Sequence, residues 1–278
     1  MLVSYTHKFI YLKPGKTAGT SVEVFLEPLC APPDHNPSHV TDVIDTEYGI
    51  VGERRGSSNT SGFFNHMNAQ EIADRLPLEI WSTYSKVATV RNPFDRAISV
   101  FHHFGLKSEL RSADSDTIIS SFRDWVWSVA PGRFTIKKFL FTGEQPCIDY
   151  FVRYEDLEGS IRRFLFVLGV DRSGLGPLPR LKTDTRKVSI PLTRYYDAAT
   201  AAHVREAAAQ EFELLGYSTS VEDAERQRWA LSNNVDQRLE LETFRALVNQ
   251  QGSAPAGARD LQRLLTKSFR IVERVRGT

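Results

Sequence analysis

Apolar and polar positions along this chain follow a repeated plan: a short apolar run, a small-residue turn, then apolar residues at helical spacing. Phe9, Ile10, Tyr11 and Leu12 form such a run, bounded by Pro14 and Gly15, and predict a buried strand. Val22, Phe25, Leu26 and Leu29 then fall at helical steps, so a helix is predicted to begin near Gly19. The plan recurs at Ser85–Phe104. Val87, Ala88 and Val90 predict a strand, Asn92-Pro93 a turn with Pro93 at the first helical position, and Ile98, Phe101 and His102 or Leu106 the following helix. Between the two, residues 30–62 are rich in Pro, Gly, Ser and Asn, without a sustained period, and predict a long loop of the kind that carries function. Phe63–Pro77 predicts a helix whose start resembles a capping box, Asn68 with Glu71 three residues on, and whose buried stripe is Ile72 and Leu76. Residues 221–249 read as a long helix, 250–258 as a flexible linker, and the remainder as an amphipathic helix. That last helix carries Leu261, Leu264, Leu265, Val272 and Val275 on one face and Arg259, Arg263, Lys267, Arg270, Arg274 and Arg276 on the other.

Composition narrows the picture. A chain of 278 residues holds one α/β domain plus an appendage, and 41% hydrophobic with 25% charged residues is ordinary for a globular protein. With a formal net charge of +1, no global field recruits nucleic acid, and any anion site must be local. Two cysteines, Cys30 and Cys147, give no disulfide framework and predict reduced thiols. The first strand is expected to start near Lys8 with no leader or anchor before it, and no run of about 18 apolar residues predicts a membrane span. A basic amphipathic helix at residues 259–276 is compatible with peripheral contact to an anionic membrane; docking of its apolar stripe on its own domain or on a second subunit, as in a homodimer, is the preferred reading.

The chemistry begins in the first turn. A strand, a small-residue loop and a helix N-terminus make an anion cradle, because free amides and the positive end of the helix dipole face the loop. Lys16 adds an ammonium, and Thr17, Thr20 and Ser21 add hydroxyls. A Walker A loop would need glycine where Ile10 stands, so the nucleotide-triphosphatase pattern fails. Lys16-Thr17-Ala18-Gly19-Thr20-Ser21 instead resembles the 5′-phosphosulfate loop of sulfotransferases. Arg91, Asn92, Pro93, Arg96 and Ser99 resemble the same family's 3′-phosphate motif, Arg91 gripping the phosphate and Ser99 filling an acceptor. Asp95 and Arg96 are expected to form a solvated helix turn. Asp149–Val170 looks like the family's later strand and helix, and His203–Tyr217 like its closing helix, so the likeness covers about the first four-fifths of the chain and is nearest the carbohydrate-type group, sulfotransferase family 2.

The resemblance implies an α/β fold, a P-loop-like parallel sheet flanked by helices with a helical C-terminal extension. Residues 1–220 would be the sulfotransferase domain and 221–278 the extension. Strands near residues 8–13, 86–91 and 148–152 are expected side by side at the sheet's centre, so that both motifs meet one donor at the strands' carboxyl ends. The donor implied is 3′-phosphoadenosine 5′-phosphosulfate, its product adenosine 3′,5′-bisphosphate, the acceptor a hydroxyl of a carbohydrate, lipid or metabolite, and no metal is called for. Implied donor contacts are Lys16, Thr17, Ala18, Gly19, Thr20, Ser21, Arg91 and Ser99, with Arg186 and Lys187 from a later basic loop. Lys16 would stabilise charge on the leaving oxygen. His66, set before a helix at the edge of the long loop, is the expected base, since an imidazole suits removal of a hydroxyl proton. Its alternative is a capping or packing histidine, with Glu71 or His102 next in line. Relatives in the Golgi carry a membrane anchor, whereas this chain looks like a cytoplasmic, bacterial one. A P-loop kinase or nucleotide hydrolase, and a non-catalytic anion-binding module, stand as the alternatives.

Overall fold

The computed structural model of the chain describes residues 1–54, 62–171, 174–181 and 189–232. Arg186, Lys187, the 250–258 linker and the final amphipathic helix lie outside the described residues. In chain order the first half contains β1 (Leu2–Ser4), β2 (Phe9–Leu12), α1 (Gly19–Leu26), β3 (Ile44–Thr46), β4 (Gly49–Val51), α2 (Ala69–Ala73), α3 (Leu78–Thr83), β5 (Ser85–Val90) and α4 (Pro93–Val100). After α5 (Ser115–Ser128) and α6 (Lys137–Leu140), a ribbon of β6 (Phe141–Thr142) and β7 (Gln145–Pro146) leads to β8 (Tyr150–Arg153) and α7 (Leu157–Val167). Four helices follow: α8 (Leu192–Tyr195), α9 (Ala198–Ala207), α10 (Ala209–Leu215) and α11 (Val221–Ser232).

The main sheet has the order β3-β4-β1-β2-β5-β8. β2, β5 and β8 pair in parallel, whereas β1 is antiparallel to both β2 and β4, and β3 is antiparallel to β4. Four strands therefore run one way and two the other. The expected adjacency of the three motif strands holds, but β8 is an edge strand of this sheet, because β1, β4 and β3 extend the opposite side. Two of those extra strands fall inside the stretch read as a long loop. Residues 44–51 form a hairpin there, and its first residue after the turn, Gly49, has φ 151°; a Cβ at this position would lie 2.0 Å from the Val3 oxygen. Only glycine lets β4 approach β1 that closely.

The strand alternation divides the core. Phe9 and Tyr11 point to one face with Val22, Phe25 and Leu26 of α1 and Ile161, Phe164 and Leu165 of α7. Ile10 and Leu12 point to the other, with Phe94 and Ala97 of α4, Phe122 of α5 and Phe212 of α10. Phe134, Phe139 and Phe141 are also in that second core, as packing residues. The start of α11 joins it through Val221 and Ala224, and Glu225 accepts from the Leu192 and Thr193 amides. Sequence past residue 220 thus begins docked on the same domain.

Candidate active site

The carboxyl ends of β2 and β5 set the site. The turn after β2 is built on unusual backbone: Lys16 and Ala18 both have positive φ, 65° and 62°. For residues bearing a Cβ such conformations cost about 1–3 kcal/mol each, and alternation of this kind curls successive amides into an anion-binding concavity. Gly19 opens α1 because nothing larger fits; a Cβ there would meet Lys13 Cγ at 2.7 Å. No side chain caps the N-terminus of α1. By contrast α4 is capped by Asn92, whose Oδ1 accepts from the Phe94 amide at 3.0 Å, while the Asn92 amide donates to Glu155 Oε1 at 2.6 Å. Only the first of the two motif helices offers an end without a side-chain cap.

Four successive carbonyls of the turn accept hydrogen bonds from side chains. Lys13 O accepts from His66 Nδ1 at 2.9 Å, and Pro14 O from Thr17 Oγ1 at 2.9 Å. Gly15 O accepts from Arg96 Nε at 3.0 Å, and Lys16 O from Arg91 Nη1 at 3.2 Å. Carbonyl oxygens repel an anion, so holding them in hydrogen bonds favours one in the cradle. The Thr17 hydroxyl also meets Thr89 Oγ1 at 2.8 Å and is fully buried, so its side chain serves the turn from within. Ser21 is buried and accepts from the Leu181 amide at 3.1 Å, whereas Thr20 is half-buried on the first turn of α1. Ser99 is buried along α4.

Arg91 is buried at the end of β5. Its Nε and Nη2 both lie 2.6 Å from Asp95 Oδ2, and its guanidinium stacks 3.9 Å from the Tyr154 ring centre. Burial opposes its charge, but Asp95 and Tyr154 outweigh that and raise its pKa. Asp95 and Arg96 depart from the expected solvated turn: they are 3% and 4% exposed. Every residue of α4 is buried, because the helix is enclosed by the turn, α9 and α11. Arg96 Nη1 is buried with no hydrogen-bond partner, and desolvation lowers its pKa to about 10, with Glu211 of α10 opposing the fall. Glu211 is itself pushed up to about 7 by burial, the Arg96 charge offsetting part.

His66 is exposed and held at φ 61° just before α2. A carbonyl only accepts, so the bond to Lys13 O puts the ring proton on Nδ1 and leaves a lone pair on Nε2. Desolvation on its inner side, then the Lys13 charge, lower its pKa to about 4, so it is neutral at pH 7. Lys13 is buried and donates to Glu23 Oε2 at 2.7 Å; Glu23 also receives the Met1 ammonium at 2.6 Å. Burial works against the Glu23 charge, but those cations bring its pKa down to about 2. Glu71 is committed to the capping box, accepting from Asn68 N at 2.7 Å while its amide donates to Asn68 Oδ1. His102 is buried in a π-helical turn after α4 and meets the Tyr195 hydroxyl at 2.7 Å, a packing role. Both fallback bases are thereby occupied. Among the described residues no group of His, Cys, Asp and Glu is arranged to hold a metal ion.

The structure therefore brings Lys16, Arg91 and His66 to one short backbone segment, and adds Arg96, a buried residue in place of the expected solvated one. Its signal in the sequence was a position in the 3′-phosphate motif, outweighed by the charge of the turn around it.

Parallel β2, β5 and β8, with the positive-φ turn at the carboxyl end of β2, make a P-loop-like α/β fold. A protein-family model described as Sulfotransferase family matches residues 1–218, and the chain belongs to that family. Comparison with curated proteins and with solved structures gives no match. Among the described residues no helix is long and apolar enough to cross a membrane.

Proposed function

We propose that this sulfotransferase moves a sulfuryl group from 3′-phosphoadenosine 5′-phosphosulfate to a hydroxyl of a carbohydrate, lipid or metabolite. The observation that carries the reading is the set of four successive side-chain-held carbonyls beside the uncapped α1, a cradle suited to a phosphosulfate, with a buried arginine clamped on it. Residues Lys16–Ser21 would hold the 5′ end, and Arg91 and Ser99 the 3′-phosphate. Arg186 and Lys187 would close over that phosphate.

The donor supplies the activated sulfur: the acceptor oxygen bonds to it in line as the bridging S–O bond breaks, the electron pair leaving on the phosphate. Lys16 would meet the charge that develops on that phosphate oxygen, an interaction stronger in the transition state than before it. His66 Nε2 would take the acceptor's proton, its tautomer fixed by Lys13 O. The low pKa of the unliganded ring suits this, since an anionic donor nearby raises it toward neutrality. The reading includes a domain of residues 1–220 with residues 221–278 as its extension, and a cytoplasmic bacterial setting, where both Cys30 and Cys147 remain free thiols.

The test is thermal melting with adenosine 3′,5′-bisphosphate against ATP–Mg, followed by mass spectrometry of extracts incubated with enzyme and donor. Stabilisation by the bisphosphate and a sulfuryl mass gain are expected. Preference for ATP marks a kinase, and bisphosphate binding without any mass gain marks a non-catalytic module.

A further inference from the structure

Arg96 presents a physical problem that packing does not solve. It is 4% exposed, its Nη1 lacks a hydrogen bond, and the nearby carboxylate Glu211 accepts from the Ile136 amide. A buried guanidinium left partly unsatisfied costs stability. Its hydrogen bond goes to the turn, from Nε to Gly15 O at 3.0 Å. The next carbonyl, Lys16 O, is held by Arg91 from the same end of α4. In a planar trans peptide the N–H points opposite to the carbonyl. Drawing Gly15 O and Lys16 O toward α4 therefore turns the Lys16 and Thr17 amides away from α4. It also fixes Lys16 at a positive φ that a residue with a Cβ does not hold unaided.

We propose that Arg96 is a positioning residue for the 5′ side of the site, acting through the Gly15 carbonyl to set the amides of the cradle rather than by touching the 3′-phosphate. The donor half of the assignment rests on the sulfuryl-transfer reading; the clamp on the turn does not. Arg91 and Arg96 then divide the work although they are five residues apart. Arg91, stacked on Tyr154 and paired with Asp95, serves the 3′ end as well as the turn, whereas Arg96 serves the turn alone. A lysine cannot replace it, because an ammonium lacks the planar array that reaches a carbonyl side-on while the charge stays packed.

The experiment compares wild type, Arg96→Lys and Arg96→Gln by calorimetry with two probes, adenosine 3′,5′-bisphosphate and adenosine 3′-phosphate, and by amide NMR of the ligand-free proteins. Expected for Arg96→Lys is a bisphosphate affinity at least about tenfold lower, with the 3′-monophosphate held within about twofold. The Gly15–Gly19 amide signals should move while those of α7 stay. Arg96→Gln, which offers a planar, uncharged N–H donor in place of an ammonium, should restore part of the loss. A parallel fall for both nucleotides would make Arg96 a 3′-phosphate ligand and overturn the proposal, as would unmoved loop amides with both affinities unchanged. Wild type binding neither nucleotide would refute the donor reading instead, and the amide shifts would then decide the clamp on their own. A variant that fails to fold is distinguished by α7 signals that collapse with the rest, and Arg96→Gln then supplies the deciding comparison.

Discussion

Removing the Arg91 side chain should damage stability and donor binding through two separable terms. In the folded protein the guanidinium makes two 2.6 Å contacts to Asp95 Oδ2, and the two side chains are 9% and 5% exposed. Arg91→Ala leaves that carboxylate buried without its main counter-charge, which costs about 3–5 kcal/mol. For a domain of this size that lowers the melting temperature by roughly 6–20 °C. Bisphosphate affinity should fall by about 2–4 kcal/mol, or roughly 30- to 900-fold, since the proposed phosphate partner is lost and an unpaired carboxylate would face the anion. Adding Asp95→Asn to Arg91→Ala separates the terms. The double variant should regain most of the melting temperature and only part of the affinity, because the amide removes the stranded charge but supplies no cation. Differential scanning calorimetry and titration calorimetry on the same samples provide both readings. Unchanged bisphosphate affinity in Arg91→Ala would sink the assignment of Arg91 to the donor. Failure of Asp95→Asn to recover stability would show that the cost does not arise from the stranded carboxylate.

Four further outcomes are expected. His66→Ala should lower turnover by about 10²- to 10⁴-fold with donor affinity nearly intact, since the proposed role of the ring is on the acceptor; normal turnover with an earlier melt would mark a packing residue. Two groups tilt stability with pH in opposite senses. His66 has a folded pKa of about 4, below its unfolded value, so the unfolded chain gains the proton first and stability falls as pH drops from about 6.5 toward 4; His66→Gln should flatten that fall in acid melts. Glu211 has a folded pKa of about 7, above its unfolded value, so its contribution is present in acid and lost as pH rises through 7; Glu211→Gln should melt higher than wild type at pH 8 and not at pH 4, and equal melts at both would refute the buried-acid assignment. Gly19→Ala should destabilise by about 1–3 kcal/mol, because the new methyl meets Lys13 Cγ at 2.7 Å; urea denaturation showing no loss would mean the turn adjusts freely.

Local chemistry made much of this protein legible from sequence. Phe9–Leu12 and Ser85–Val90 are strands because short β-branched and aromatic runs fit a buried pleat, and Pro93 starts α4 because its fixed φ and missing N–H suit a first helical turn. The capping box at Asn68 and Glu71 forms as its spacing predicts, since its partners lie within one turn. The two motifs marked the turns that follow β2 and β5, each a strand end leading into a helix. What the sequence could not decide is whatever depends on partners distant along the chain. Asp95 and Arg96 look like a solvated turn because nothing near them reveals that the opposite wall is the Pro14–Lys16 backbone, some eighty residues upstream. Strands β1, β3 and β4 are three residues each, too short for a period to register, and exist because they pair with one another and with β2. The tautomer of His66 likewise follows from a carbonyl 53 residues away. Periodicity and capping are short-range properties written into neighbouring residues, whereas burial of charge and the direction of a ring nitrogen are set only when the sheet brings remote segments together.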